Sequence, residues 1–172
     1  MIFRFGIWFI MLFGGIGLAY YIDSILFDTS FYHNLVFQIS SFSFGLLLMV
    51  LLVRISRTTG RTLAKYGRQG DIKRMETNLL VKEGVYQYMR HPMHLGLFLF
   101  PISVAFLVAS PSFILIIAPV EILFMVLMIK FFEEPEAISK FGTEYLDYKQ
   151  QVPWFCFKIS CLQELLKKIP KN

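Results

Sequence analysis

Residues 93–132 read MHLGLFLFPISVAFLVASPSFILIIAPVEILFMVLMIKFF, and only Glu121 and Lys130 in that run carry charge. A helix that crosses the hydrocarbon core of a bilayer needs about 20 apolar residues, with about 17–25 the usual range. The run is too long for one such span and about right for two. Ser110-Pro111-Ser112 interrupts it near its middle, where proline removes a helical donor and Ser110 can cap the helix that follows. These residues predict a tight helical hairpin turning at 110–112.

Two further apolar segments precede the hairpin, about Phe5–Ile22 and about Leu35–Val53. The chain has 172 residues, 56% apolar and 17% charged, with mean hydropathy +0.58. A soluble domain carries about 25% charged and about 45–50% apolar residues. Here the apolar excess falls in runs. The sequence therefore predicts an all-α integral membrane protein with about four transmembrane helices, the third and fourth forming the hairpin. The length allows a single domain. Residues 1–54 would supply two helices, 55–92 a basic cytoplasmic segment, 93–132 the hairpin, and 133–172 cytoplasmic or interfacial helices.

Lysine and arginine set orientation. Nine of the seventeen lie between Arg54 and Arg90, seven from Lys130 onward, and Arg4 precedes the first segment. The first loop, with Asp23, Asp28 and His33, holds no lysine or arginine, and the 110–112 turn carries no charge. This asymmetry predicts a multi-pass protein with both termini cytoplasmic. The net charge of +5 does not indicate nucleic acid, because the aromatic residues lie inside the apolar runs and not among the cations. Anionic lipid headgroups account for it more simply. Arg4 and the apolar stretch after it also resemble a cleaved signal peptide. That stretch exceeds the usual ~7–15 residues, however, and no small-x-small cleavage site follows.

Beyond the hairpin, Ile138, Phe141, Tyr145 and Tyr148 recur at helical spacing and predict an amphipathic helix. Ser160-Cys161-Leu162-Gln163 has the form of a capping box, leading into Leu162, Leu165, Leu166 and Ile169 with Lys167, Lys168 and Lys171 nearby. This pattern predicts a helix lying on the membrane surface. Cys156 and Cys161 match no metal or redox spacing and read as two small apolar residues at the interface.

Two places could carry chemistry. Around Arg90-His91-Pro92-Met93-His94, Pro92 suits the first position of the third helix, and a helix start framed by cations suits a carboxylate or phosphate. Headgroup anchoring by the same side chains is the plainer account. Glu133-Glu134 closes the fourth helix before Pro135, with Lys130 one turn earlier and able to pair with either acid. The acid left over suits a cationic ligand group.

In order along the chain come Leu80-Val81-Lys82-Glu83-Gly84-Val85-Tyr86, Arg90-His91-Pro92-Met93, Glu133-Glu134, Phe141-Gly142-Thr143-Glu144-Tyr145-Leu146-Asp147-Tyr148 and Val152-Pro153. This ordered set resembles the isoprenylcysteine carboxyl methyltransferase family and is similar to the related phospholipid N-methyltransferases. The resemblance covers roughly residues 79–153. It implies a cytoplasmic S-adenosylmethionine pocket lined by Leu80, Val81, Gly84, Tyr86, His91 and Pro92, with Glu134 holding the cofactor's amino group. Glu133, Arg90 and His94 would serve catalysis, and Lys130, Tyr145 and Tyr148 would lie towards the acceptor, a membrane lipid or a prenylated or otherwise lipid-modified molecule. Three positions depart from the family pattern. His94 stands for a tyrosine, Ile129 for an arginine, and Ala137 for a leucine. The missing arginine bears on the acceptor more than on the cofactor.

Glu121 lies inside the fourth helix, and an intramembrane carboxylate is a candidate functional group, here for substrate. It could also pair with Ser103 or Ser112. His91, His94 and the acid pair could suggest a metal site, but three histidines in separate segments make a poor zinc set, and none is expected. Other readings of the same motifs are a sterol-reductase-like enzyme with a similar Arg-His-Pro turn and a non-catalytic four-helix membrane scaffold.

Overall fold

The computed structural model describes residues 2–27, 34–71 and 77–167. Its elements are α1 (Ile2–Leu26), α2 (Leu35–Tyr66), a 3-10 turn (Gly84–Gln87), α3 (Pro92–Leu107), α4 (Phe113–Phe141), α5 (Thr143–Gln151) and α6 (Ile159–Leu166). Among the described residues there is no strand. Phe9–Leu26 of α1, α2 and α4 are long and apolar enough to cross a membrane, whereas α3 is a shorter apolar helix of 16 residues. The chain is an all-helical membrane protein.

The chain divides into two compact units. The first comprises residues 1–51 and 98–126, the second 52–97 and 127–172. In the first unit the turn between α3 and α4 falls at residues 108–110, two residues before the predicted 110–112, with Ala109 at φ 51° and Pro111 and Ser112 already helical. Ser110 caps α4 as expected, its Oγ accepting from Phe113 N at 3.1 Å. The sequence placed Asp23 in a loop, but it lies within α1, 1% exposed. Its carboxylate accepts from Ser110 Oγ at 2.5 Å and from Ser112 N at 2.7 Å. The turn buries donors that water cannot reach, and Asp23 satisfies the Ser110 hydroxyl and the Ser112 N–H, while the Ser112 hydroxyl has no partner among the described residues.

Close helix approach also organises this unit. A Cβ on Gly45 of α2 would stand 2.7 Å from Leu107 N and 2.9 Å from Ser103 O of α3. At that approach Ser103 Oγ donates to Gly45 O at 2.9 Å, and Ser41 Oγ donates to Phe106 O at 2.7 Å. Glu121 pairs with neither Ser103 nor Ser112. Its Oε1 is buried without a partner among the described residues, near Gly15, whose added Cβ would meet it at 2.8 Å.

α4 contains two π turns, Phe113–Ile117 and Ile129–Glu133. Each is followed within two residues by a proline, Pro119 and Pro135. Proline clashes with the carbonyl four residues earlier and donates nothing to it. A widened turn just before it lets the helix continue. Thus α4 does not end at Glu133-Glu134, as the sequence suggested, but runs on to Phe141. The amphipathic stretch after it is not one helix either, because Gly142 at φ 59° separates α4 from α5.

In the second unit, Ser160 is the second residue of α6. Lys158 is the N-cap and makes no side-chain cap bond, so the predicted capping box does not form. Cys156 and Cys161, expected to be plain apolar residues, are joined in a disulfide.

Candidate functional site

Gly84 at φ 59° opens the 3-10 turn that carries Val85 and Tyr86 inward. The chain then passes through Arg90 and His91 into α3, which Pro92 begins as the sequence predicts. The N–H groups of Arg90 and His91 donate to the Pro153 and Trp154 carbonyls at 2.9 and 3.1 Å. The Val152-Pro153 tail therefore clamps the start of α3.

Below this clamp sits Glu134, 2% exposed. The π turn at Ile129–Glu133 adds one residue to its turn, which rotates Glu134 inward from the direction an unbroken α-helix would give it. One oxygen, Oε1, accepts from Arg90 Nε at 3.0 Å and Tyr145 OH at 3.0 Å, and lies 3.1 Å from His91 Nε2. The other pairs with Lys149 Nζ at 2.6 Å. Arg90 Nη1 donates further to the carbonyls of Lys149 and Val152 at 2.7 and 2.6 Å. Tyr148 OH donates to Tyr86 O at 2.5 Å.

Desolvation holds the His91 imidazole low, at about 4, against the opposing pull of its bond to Glu134. Burial pushes the phenols of Tyr86, Tyr145 and Tyr148 well above their usual range. At neutral pH the histidine is therefore uncharged and the tyrosines keep their protons.

Beside this cluster opens a cleft with about 510 Å³ of empty space, its solvent-facing mouth included. Leu63, Leu79, Leu80 and Val81 give it an apolar wall. Arg90 and Glu133 bring both signs of charge, and His91, Tyr86, Tyr145 and Tyr148 add rings. Ala137 and Phe141 of α4 also line it. Of the residues singled out in the sequence, Leu80, Val81, Tyr86, Arg90, His91, Glu133, Tyr145 and Tyr148 meet at this cleft.

Glu134 does not line the cleft. Its carboxylate is engaged by four side chains of the protein and holds the wall of the cleft together. Gly84 and Pro92 shape the backbone behind the lining, and His94 packs edge-on against His91 at 5.6 Å between ring centroids. Lys130 is exposed, and Glu134 takes Lys149 as its lysine partner instead. Glu121 belongs to the other unit. The sequence reading missed Lys149. Its spacing of four from Tyr145 was the available signal, since both reach the same carboxylate.

These features define a membrane protein whose helices carry a cleft of mixed charge suited to a small polar molecule. More particularly, the chain belongs to the phospholipid methyltransferase family, whose model matches residues 40–148. It is 32% identical over 113 residues to the Protein-S-isoprenylcysteine O-methyltransferase of Saccharomyces cerevisiae, covering 61% of this chain and 44% of that one. With Protein-S-isoprenylcysteine O-methyltransferase B of Arabidopsis thaliana it shares 34% identity over 113 residues, 64% of this chain and 56% of the relative. The Homo sapiens Protein-S-isoprenylcysteine O-methyltransferase is 31% identical over 87 residues, 47% of this chain and 28% of the human one. The chain thus spans about half the length of the first two relatives.

Proposed function

We propose that the protein transfers a methyl group from S-adenosylmethionine to a lipid or lipid-modified acceptor, most like an isoprenylcysteine carboxyl O-methyltransferase. Family membership and the names of the relatives support this reading. The observation that carries it is the cleft itself, where an apolar wall, the Arg90 cation with the neutral His91 imidazole beside it, and the Glu133 carboxylate stand together.

That donor set fits the cofactor. Arg90, with His91 beside it, suits the methionine carboxylate, and Glu133 suits the ammonium. The wall of Leu63, Leu79, Leu80 and Val81 suits the adenosine. When bound, the cofactor supplies an electrophilic methyl group on a positively charged sulfur. The residues of this chain contribute alignment and exclusion of water. Arg90 is fixed by Glu134 and two carbonyls, so its guanidinium needs no reorganisation when a carboxylate arrives. Tyr86, Tyr145 and Tyr148 keep the wall protonated and dry. A carboxylate acceptor needs no base, whereas an amine acceptor would be deprotonated by Glu133 or His94. In this reading α1 to α4 span the bilayer, with the cleft and both termini cytoplasmic. An apolar acceptor would then arrive from the membrane and the cofactor from the cytoplasm.

One observation favours a second reading, a phospholipid N-methyltransferase. Ile129 is fully buried at the position where the resemblance calls for an arginine to orient a carboxylate. Incubation with labelled S-adenosylmethionine and either a prenylcysteine or phosphatidylethanolamine separates the two, since label should enter the prenylcysteine ester. Stabilisation by S-adenosylhomocysteine in a melting experiment tests the cleft, and Glu133→Gln should weaken it. No stabilisation and no labelled product would sink both readings.

A further inference from the structure

Helix α2 has 32 residues and at 1.5 Å per residue extends ~48 Å, well beyond the ~30 Å of a hydrocarbon core. Its apolar portion ends at Val53. From there Arg54, Arg57, Arg61 and Lys65 follow at steps of three, four and four, and Arg68 comes three residues later. At about 100° per residue the four on α2, Arg54, Arg57, Arg61 and Lys65, fall within an arc of about 80°, and Arg68 follows just past the helix end. The adjoining arc, Ile55, Thr58, Thr59 and Thr62, is buried. Arg54, Arg57 and Lys65 are exposed. The sequence has no acidic residue between Asp28 and Asp71, so nothing on α2 itself offsets the stripe.

A second element meets it. Thr58 Oγ1 donates to Lys167 O at 3.0 Å, which brings the end of α6 to the edge of the stripe. α6 buries Cys161 and Leu165 and leaves Ile159, Leu162 and Leu166 exposed, with Phe157 exposed just before it. Lys158 and Lys167 flank this apolar face, and Glu164 is the acid paired with Lys167, at 3.3 Å.

We infer that the α2 stripe and α6 together form a docking surface for the anionic phospholipid headgroups of the adjoining leaflet. Arg54 and Arg57 follow the apolar part of α2 directly, at the depth of the lipid phosphates, and the cations further along extend the positive field above the leaflet. Guanidinium groups hold phosphate oxygens in pairs, while the apolar side chains of α6 enter the boundary with the acyl chains. This inference is independent of methyl transfer, and its test uses neither donor nor acceptor.

The full chain is reconstituted in phosphatidylcholine vesicles containing a trace of spin-labelled phosphatidylserine or spin-labelled phosphatidylcholine. The motionally restricted fraction of each label is then measured. Phosphatidylserine should be selected several-fold, and the selection should fall as salt is raised. The variant Arg54→Gln/Arg57→Gln/Lys65→Gln should lose that several-fold selection and restrict the two labels nearly equally. Arg57→Gln alone should be intermediate, and the charge-keeping Arg54→Lys/Arg57→Lys/Lys65→Arg should retain selection. Equal restriction of both labels by the wild type, or unchanged selection in the triple glutamine variant, overturns the inference. Binding of single-stranded RNA without lipid selection overturns it too.

Discussion

Arg90 Nε stands 3.0 Å from Glu134 Oε1, 44 residues further along the chain, and the two side chains are only 5% and 3% exposed. The same carboxylate gathers His91, Tyr145 and Lys149. One acid thereby fastens the start of α3, the later part of α4 and both ends of α5's inner face. Removing one member of a buried pair leaves the other charge without compensation, which costs far more than the pair contributes net.

Glu134→Ala should therefore destabilise by about 3–5 kcal/mol. At about 2–4 °C per kcal/mol for a chain of this size, the melting temperature should fall by roughly 10 °C. Glu134→Gln keeps the shape and should lose less. Tyr145→Phe removes one donor to that carboxylate and should cost about 1.5–3 kcal/mol. Thermal melts in detergent rank the three, and a Glu134→Ala loss no larger than that of Tyr145→Phe would refute the anchoring role.

His91 sets a pH dependence. Its folded value is about 4 against the ordinary 6.5, chiefly because burial disfavours the imidazolium. Between those values the unfolded chain binds a proton that the folded chain does not, so stability falls as pH falls. The contribution is whole above about pH 6.5 and is lost on the way down through about pH 4. Arg90 and His94 press in the same direction as burial, and Glu134 opposes them. Melting temperature followed from about pH 8 to about pH 4 should decline more steeply for the wild type than for His91→Gln. Parallel curves would remove His91 as the cause.

Much of this was legible in the sequence, for physical reasons that also mark where legibility stops. The 93–132 run declared a hairpin because hydropathy and length are insensitive to detail, and Ser110 and Pro92 announced helix starts because capping chemistry is local. Asp23 was misplaced because a short acid near a helix end reads as loop until its partners, 87 and 89 residues away, are seen. The inward turn of Glu134 was hidden for a related reason. A π turn shifts register by one residue without altering composition, and only the recurrence of a proline just after each one leaves a trace. Lys149 read as part of a solvated face, and its pairing with Glu134 exists only once α4 and α5 are folded together.

Glycines in the first unit should divide by what surrounds them. A Cβ on Gly45 would meet backbone atoms of α3 at 2.7 and 2.9 Å, while one on Gly14 or Gly17 in α1 meets nothing within 4 Å. Backbone cannot retreat as a flexible side chain can, so Gly45→Ala should push α2 and α3 apart and cost about 1–3 kcal/mol. Gly14→Ala should be neutral or stabilise by up to about 1 kcal/mol, because alanine suits a helix interior better. Comparing the melting temperatures of the two variants checks this, and equal effects would mean that α2 and α3 do not pack as closely as described.

Asp23 supplies the last contrast. Its two oxygens satisfy the Ser110 hydroxyl and the Ser112 N–H at the α3–α4 turn, all three residues being buried. Asp23→Ala leaves both donors without an acceptor and should cost about 2–4 kcal/mol, since each unsatisfied buried polar group costs about 1–3 kcal/mol. Asp23→Asn retains one acceptor oxygen and should recover part of the loss, whereas Asp23→Leu should not. The damage should be local to the turn. Hydrogen exchange in Asp23→Ala should speed up around Ser110–Phe113 while the amides of Arg90 and His91, bonded to Pro153 and Trp154, keep their protection. Loss of protection at both places together would show that Asp23 holds the whole fold rather than this turn.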